Sequence, residues 1–253
     1  MDNRGQEKAA LFVATLTSFM GPFIISSVNV ALPAIQKEFS ADAVQLSWVA
    51  TSLLLATAVI LVPAGRIADI HGRKRVFAWG LALFTLASFF AGLASSVSML
   101  IFARVIQGAG TAMFVTTGMA ILTSIFPPHQ RGRVIGIYVS AVYIGLSVGP
   151  FAGGLLTQHI GWRSLFFLVT PLGILSFYLT LKYLRGEWAD ARGETLDVIG
   201  SALYGISILG LVYGASILPD GKAVYLIVCG LLCMGFFVRH ELRVKYPAVS
   251  YTH

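Results

Sequence analysis

The chain has 253 residues, of which 57% are hydrophobic and only 11% are charged. Soluble domains carry about 25% charged residues, so this composition excludes an ordinary soluble enzyme or binding domain. The formal net charge of +7 does not indicate a nucleic-acid partner, because the basic residues form no continuous groove or stripe. The composition instead predicts an integral membrane protein that has the lipid bilayer as its surroundings.

Apolar runs of about 20 residues, the length that crosses the hydrocarbon of a bilayer, recur along the chain. The first run is too long for the core of a signal peptide and has no small-residue cleavage site, so we expect it to remain as a span. The sequence therefore predicts an all-α polytopic membrane protein. Its eight spans are expected at residues 9–32, 46–65, 76–95, 98–126, 134–158, 163–182, 196–218 and 222–239.

The first span carries two features that interrupt a plain apolar helix. Pro22, directly after Gly21, removes one backbone hydrogen bond and predicts a kink. Asn29 lies near the end of the span, in the sequence Asn29-Val30-Ala31-Leu32-Pro33. An amide inside a span can hydrogen-bond a substrate or a neighbouring helix, and the sequence leaves both roles open.

The charged run from Gly65 to Arg75 is the most charged short segment and lies between spans two and three. Gly65 and Gly72 favour a tight reversal, because glycine tolerates backbone angles that other residues avoid. Asp69, the single acid, is expected to bind a nearby arginine or to cap a helix. Four basic residues are expected to hold the charged run on one side of the membrane: Arg66, Arg73, Lys74 and Arg75.

Span four contains a charged side chain. Arg104, Gln107 and Gly108 are spaced i, i+3 and i+4, so they share one helix face. A charge inside a span costs at least a few kcal/mol and normally faces a cavity or a partner. We expect Arg104, Gln107 and Gly108 to face a cavity and to contribute to coupling, although Arg104 is near enough to the outer end to snorkel instead. No acid lies within the first six predicted spans to pair with Arg104.

Span five contains small residues at every fourth position, which we call the small-residue stripe: Ala141, Gly145, Gly149 and Gly153. Such a stripe lets another helix approach closely, either within the chain or across a homodimer. Pro150 loosens the helix, and Gly154 follows the stripe. In the loop before this span, Arg131 and Arg133 are expected either to pair with Asp69 or only to anchor that side of the membrane.

The 18 Lys and Arg residues divide unequally between the two sides of the membrane. Fourteen lie in the two terminal tails or after spans two, four and six. The loops after spans one, five and seven hold only Lys37, Arg163 and Lys222. The positive-inside rule therefore predicts that both termini are cytoplasmic.

No residue pattern indicates catalysis or a cofactor. The two cysteines, Cys229 and Cys233, are four residues apart in an apolar helix and are expected to pack there, so no metal site is predicted. The nucleotide-binding pattern G-x-x-x-x-G-K-[ST] and the metalloprotease pattern H-E-x-x-H are also absent from the sequence. The sequence therefore predicts a protein that is not an enzyme and has no cofactor.

An internal repeat divides the first six spans. Three spans separate its copies, and an odd number inverts the second copy relative to the membrane. Inverted three-helix repeats of this kind build six-helix transporter halves. The matching positions are each displaced by 89 residues: Gly65, Gly72 and Phe77 match Gly154, Gly161 and Phe166.

These motifs resemble those of the major facilitator superfamily. The charged run fits the family loop pattern G-x-x-x-D-x-x-G-R-[KR]-[KR], and span four fits R-x-x-Q-G. Span five, with G-x-x-x-G-P-x-x-G-G, resembles the antiporter motif of exporters. The end of span one resembles the motif L-D-x-T-x-x-N-V-A-L-P of the fourteen-span drug:proton antiporter branch, but Ile24 stands in place of its acid.

The resemblance covers almost the whole chain but only the first eight helices of that branch. It implies a six-helix amino-terminal half at residues 1–185 and a cytoplasmic connector at 186–195. Two additional transmembrane helices and a cytoplasmic tail follow at 196–253. The resemblance also implies that Asp69 helps to hold the cytoplasmic side closed, by contacting the opposite half and a nearby arginine.

The expected function is secondary active export of small amphipathic molecules across the cell membrane by alternating access. A second half is then required, from a homodimer or from a separate partner. The alternative is a truncated or non-transporting membrane subunit. The sequence leaves open the substrate, and Ile24 leaves open whether transport is coupled to protons.

Overall fold

In a computed structural model of the chain, residues 3–218 and 221–244 are described, and these ranges contain eight helices and no strand. Each helix is long and apolar enough to cross a membrane, which confirms the prediction of eight spans. Lys245 and the rest of the predicted carboxyl-terminal tail lie outside the described residues. The helices are α1 (Asn3–Phe39), α2 (Ala43–His71), α3 (Arg73–Gly92), α4 (Val97–Ile125), α5 (Pro128–His159), α6 (Arg163–Tyr183), α7 (Val198–Ser216) and α8 (Gly221–Glu241).

Several helices continue beyond the predicted spans, because intrahelical hydrogen bonding does not stop where the sequence becomes polar. The reversal expected between Gly65 and Gly72 is therefore wrong in its extent. Gly65 lies inside α2, and Gly72 alone separates α2 from α3. Gly72 has a φ of 111°, which glycine adopts without the strain that a side chain brings.

The contacts among the first six helices follow a twofold pattern, in which α1 corresponds to α4, α2 to α5 and α3 to α6. Each contact between two helices has a counterpart between the two corresponding helices. The contact of α1 with α5 has its counterpart in that of α4 with α2. The contact of α3 with α4 likewise corresponds to that of α6 with α1. Gly161, the repeat partner of Gly72, also has a positive φ, of 103°. The structure thus confirms a facilitator-type half made of two inverted three-helix repeats.

The small-residue stripe of α5 packs against α1 of the same chain. A Cβ atom added to Gly145 would lie 2.6 Å from the carbonyl oxygen of Phe19, and one added to Gly153 would lie 2.8 Å from the Cα atom of Ser27. Only glycine allows the two backbones to approach this closely. The stripe is therefore an internal contact and not the seam of a homodimer.

Hydroxyl groups of α1 add hydrogen bonds across the same contact. Ser18 Oγ donates to the carbonyl oxygen of Tyr138 at 2.9 Å, and Ser27 Oγ donates to that of Gly149 at 2.9 Å. Interhelical bonds of this kind contribute about 0.6 kcal/mol each in membranes. The close backbone approach and these bonds together hold α1 and α5 as one unit.

The helices α7 and α8 form a pair on the outside of this half. Among the described residues, α8 packs only against α7, and α7 packs against α2 and α8. Tyr204 attaches the pair, because its hydroxyl donates to the carbonyl oxygen of Ala58 in α2 at 3.1 Å. Trp48 and Tyr213 add a ring contact with centroids 5.5 Å apart.

Asp197 caps the start of α7 and links it to the end of α8. Its Oδ1 accepts hydrogen bonds from the backbone N–H of Gly200 at 2.9 Å and from His240 Nε2 at 3.0 Å. Burial alone raises the pKa of Asp197, but these bonds outweigh it and lower the pKa below its ordinary value. The carboxylate is therefore ionised at neutral pH, as an N-terminal cap requires.

We expect Gly145→Ala to lower the thermal stability of the protein, because the added methyl group meets the backbone of α1. Overpacking of this kind costs about 1–3 kcal/mol. Gly136→Ala is the matched control on α5, since a Cβ atom there meets nothing within 4 Å. The measurement is loss of the monodisperse gel-filtration peak on heating in detergent. Equal melting temperatures for the two variants would contradict the close α1–α5 contact.

Candidate functional site

The candidate site residues separate into two polar clusters and one exposed surface. One cluster surrounds the charged run at the junction of α2 and α3. The second surrounds Arg104 inside the bundle, and Asn29 lies on an exposed part of α1.

Asp69 pairs with an arginine of its own charged run. Its Oδ1 accepts hydrogen bonds from Nε and Nη2 of Arg73, at 3.1 and 3.0 Å. Arg73 Nη1 also donates to Ser124 Oγ near the end of α4, at 3.0 Å. Arg131, one of the two partners considered from the sequence, instead donates to the carbonyl oxygen of Phe126 at 3.2 Å.

The segment between α6 and α7, at residues 184–197, binds the charged run through its acids. Arg73 Nη2 donates to Asp190 Oδ2 at 2.6 Å, and Arg66 Nη2 donates to Glu194 Oε2 at 2.5 Å. The Arg66 side chain is only 9% exposed, so its charge depends on this partner more than a surface charge does. Both arginines are thus neutralised by a segment more than 110 residues further along the chain.

Glu187 caps the start of α3. Its Oε1 accepts hydrogen bonds from the backbone N–H groups of Lys74 and Arg75, at 2.8 and 3.2 Å, where the helix dipole favours a negative charge. The Glu187 side chain occupies the space that a Cβ atom at Gly72 would need. Gly72 therefore has two roles: it adopts the backbone conformation of the turn, and its lack of a side chain leaves room for Glu187 of the connector.

Backbone hydrogen bonds complete this docking. The N–H of Arg73 donates to the carbonyl oxygen of Trp188 at 2.8 Å, and the N–H of Ala191 donates to that of Asp69 at 2.9 Å. Sequence reasoning missed the role of the connector acids. The signal that was available is three acids within eight residues, Glu187, Asp190 and Glu194, in a connector that follows a strongly basic run.

Arg104 is fully buried between α2, α3 and α4 and does not snorkel to the headgroups. Its Nε donates to the carbonyl oxygen of Val49 at 3.2 Å, and its Nη1 donates to Gln107 Oε1 at 2.9 Å. Gln107 Nε2 then donates to Ser88 Oγ at 2.7 Å. This chain of bonds ties three helices together, while Arg104 Nη2 has no hydrogen-bond partner. A role of Arg104 in coupling stays a prediction.

Gly108 brings α4 against α2. A Cβ atom added to Gly108 would lie 2.9 Å from the Cβ atom of Ala56 and would meet the Leu53 carbonyl as well. Thr57 Oγ1 donates to the carbonyl oxygen of Gly108 at 3.1 Å. The α2–α4 contact is therefore built in the same way as its symmetry counterpart between α1 and α5.

The remaining candidates lie at or near the surface of α1 and α5. Asn29 and Pro150 are exposed, and Gly154 is half-buried. A Cβ atom added to Gly154 would lie 3.8 Å from Val30 Cγ1. Asn29 lies two residues after Ser27, which contacts Gly153. An exposed amide beside the α1–α5 contact is available to a ligand or to another helix, so both roles of Asn29 remain open.

Comparisons with known proteins agree with this architecture. A family model described as Major Facilitator Superfamily matches residues 11–238. The chain is similar to a solved structure of a peptide transporter POT in complex with alafosfalin, with a TM-score of 0.70 and 13% identity. That similarity covers 97% of this chain and 56% of the other, and at this identity it shows the fold alone.

Curated relatives are more similar in sequence. Multidrug resistance protein Stp of Mycobacterium tuberculosis is 40% identical over 74% of this chain and 35% of its own length. Riboflavin transporter RibZ of Clostridioides difficile is 31% identical over 97% of this chain and 54% of its own. Drug efflux pump JefA of Mycobacterium tuberculosis is 32% identical over 97% of this chain and 49% of its own. The chain spans about half the length of the curated relatives that it matches, or less.

We expect Gln107→Leu to destabilise the protein, because it leaves Arg104 Nη1 buried without an acceptor. An unsatisfied buried donor costs about 1–3 kcal/mol, and more when it is charged. Ser88→Ala is the milder comparison, since it removes the acceptor of Gln107 Nε2 and the Ser88 bond to the Phe84 carbonyl oxygen but leaves the bond between Arg104 and Gln107 in place. Thermal gel filtration in detergent should rank Ser88→Ala between the unaltered chain and Gln107→Leu. The reverse order would contradict the described chain of bonds.

We expect Arg73→Gln to loosen the connector, because it removes the ion pair with Asp190. A cysteine at Ala191, which is 8% exposed, reports the change through its rate of maleimide labelling in a background with Cys229→Ser and Cys233→Ser. An exposed ion pair contributes up to about 1 kcal/mol, so labelling should become about two- to fivefold faster. Arg133→Gln, which removes a charge from an exposed part of α5, is the control and should leave the rate unchanged.

Proposed function

The chain belongs to the major facilitator superfamily, and we propose that it forms the amino-terminal half of a secondary active exporter of small amphipathic molecules. The observation that carries this proposal is similarity over about three quarters or more of the chain to proteins named for multidrug resistance and drug efflux. The exporter is proposed to be of the fourteen-span drug:proton antiporter type, in which α7 and α8 form the additional helix pair.

Alternating access needs two rigid halves that rock around a central site. The backbone contacts of α5 with α1 and of α4 with α2 support such a rigid half, because glycine contacts do not yield as flexible side chains do. The second half is proposed to come from further helices beyond the eight described ones. In this arrangement Asn29 lies on the wall that meets the substrate.

The charged run is proposed to act as the cytoplasmic latch of the transport cycle. Asp69 and Arg73 already share two hydrogen bonds, and Arg73 reaches α4 and the connector as well. Charged groups with several exchangeable partners suit a switch between two arrangements. The distribution of basic residues supports a cytoplasmic position for this latch and for both termini in the cell membrane.

Coupling to protons is proposed to use no carboxylate within the first membrane span. Ile24 is fully buried and supplies no titratable group where the resembling motif has an acid. Export driven by a pH gradient would then depend on another group, within the second half or in the charged run. The substrate is proposed only by class, as a small amphipathic molecule.

Reconstitution of the purified chain in vesicles tests the proposal. Chemical crosslinking first fixes monomers or dimers, and ethidium efflux is then followed under an imposed pH gradient. The proposal predicts no efflux from monomers. Efflux from crosslinked dimers would identify a second copy as the other half, whereas its recovery only when further helices are supplied would identify those helices as the other half. Efflux from demonstrated monomers would overturn the requirement for a second half.

Within a transporting assembly, we expect Asp69→Asn to slow efflux by up to about fivefold while membrane insertion stays normal. The substitution keeps the shape of the side chain but weakens two charge-assisted hydrogen bonds to Arg73, and an ion pair with an exposed partner contributes up to about 1 kcal/mol. Asp42→Asn is the matched control, because Asp42 caps α2 at its other end. Equal efflux by the Asp69→Asn and unaltered assemblies would exclude the latch role.

A further inference from the structure

A groove of about 410 Å³ lies between α3 and α6, at the end of the bundle that carries the charged run. Its walls are mostly apolar, and its rim is formed by Lys74, Arg75 and Glu187. Trp79 and Leu181 are 66% and 53% exposed, so the groove opens toward the surroundings of the bundle and not toward its core. The apolar lining consists of Ala78, Trp79, Ala82, Phe177 and Leu181.

The rim of this groove has a surplus of positive charge. The Glu187 carboxylate already accepts the backbone N–H groups of Lys74 and Arg75, and its distance to Arg75 Nε is 3.8 Å. The Arg75 side chain is 73% exposed. Among the described residues, the ammonium group of half-buried Lys74 has no hydrogen bond or ion pair. Two cations therefore face one acid whose hydrogen bonds are directed mainly to the backbone.

We propose that this groove binds an anionic phospholipid, with the phosphate at Lys74 and Arg75 and an acyl chain along the apolar wall. Basic pockets between transmembrane helices bind anionic headgroups, and a tryptophan such as Trp79 is common at the depth of the headgroups. The exposed apolar side chains of α3 and α6 below the rim match the hydrocarbon of the same leaflet.

This ligand is favoured over a soluble one by the position of the groove. A soluble anion would find the rim but would leave the apolar wall unoccupied, whereas a neutral apolar molecule would leave Lys74 without a partner. A phospholipid satisfies both parts at once. Because Glu187 belongs to the connector, a bound lipid also lies directly beside the segment that holds Arg66 and Arg73.

Quenching of tryptophan fluorescence by brominated lipids tests the proposal in vesicles of phosphatidylcholine with one fifth phosphatidylglycerol. In one set of vesicles the phosphatidylglycerol is brominated, and in a second set the phosphatidylcholine is brominated. Subtracting the fluorescence of the Trp79→Phe variant from that of the unaltered chain isolates the signal of Trp79. We expect stronger quenching by brominated phosphatidylglycerol than its share of the bilayer explains. Each basic residue near an anionic membrane surface contributes about a factor of five to the attraction between them, so Lys74→Gln with Arg75→Gln should remove most of this preference. Lys74→Arg should retain it.

The matched control removes two charges elsewhere, as Lys8→Gln with Arg133→Gln. An equal loss of preference in the control pair would overturn the proposal in favour of general surface charge. Quenching of Trp79 in the unaltered chain by the two brominated lipids in proportion to their shares of the bilayer would overturn it as well. Weak quenching by both lipids would show that another protein segment covers the groove, and would also overturn it.

Discussion

The hydrocarbon of a bilayer offers no hydrogen-bond partner to the backbone and little hydrophobic drive for helices to associate. Helices in this chain therefore associate where small residues let their backbones touch. Gly145 and Gly153 bring α5 onto α1, and Gly108 brings α4 onto α2. These two contacts are symmetry counterparts, so one physical solution is used twice. The position of α3 and α6, and hence of the charged run and the lipid-facing groove, follows from this arrangement.

The charged run adds a set of contacts with a different character. Most of its ion pairs include an exposed partner, such as Asp190 with 71% exposure, and exposed pairs contribute at most about 1 kcal/mol each. Arg66 differs, because its buried guanidinium makes the bond to Glu194 harder to lose. The helix contacts are thus expected to persist through a transport cycle, while the ionic contacts of Arg73 exchange.

Hydropathy and repeat spacing predicted the eight helices and the inverted repeat, because both depend on local composition. The use of Gly145, Gly149 and Gly153 for close packing was also predictable, but their partner was not, since α1 is far away in sequence. The connector acids were missed for the same reason. The i+4 spacing of Asp69 and Arg73 could have identified that pair, whereas the burial of Arg104 depends on the positions of α2 and α3.

The pairing of α1 with α5 also has a consequence for biosynthesis. Ser27 and its partner Gly149 are 122 residues apart, and ribosomes add about 5–20 residues per second. The face of α1 that carries Ser18 and Ser27 therefore waits roughly 6 to 24 s for its partner to be made. During this interval lipid, or the insertion machinery, must cover a helix surface that carries the hydroxyl groups of Ser18, Ser26 and Ser27. The first helix made is thus among the last to reach its final contacts.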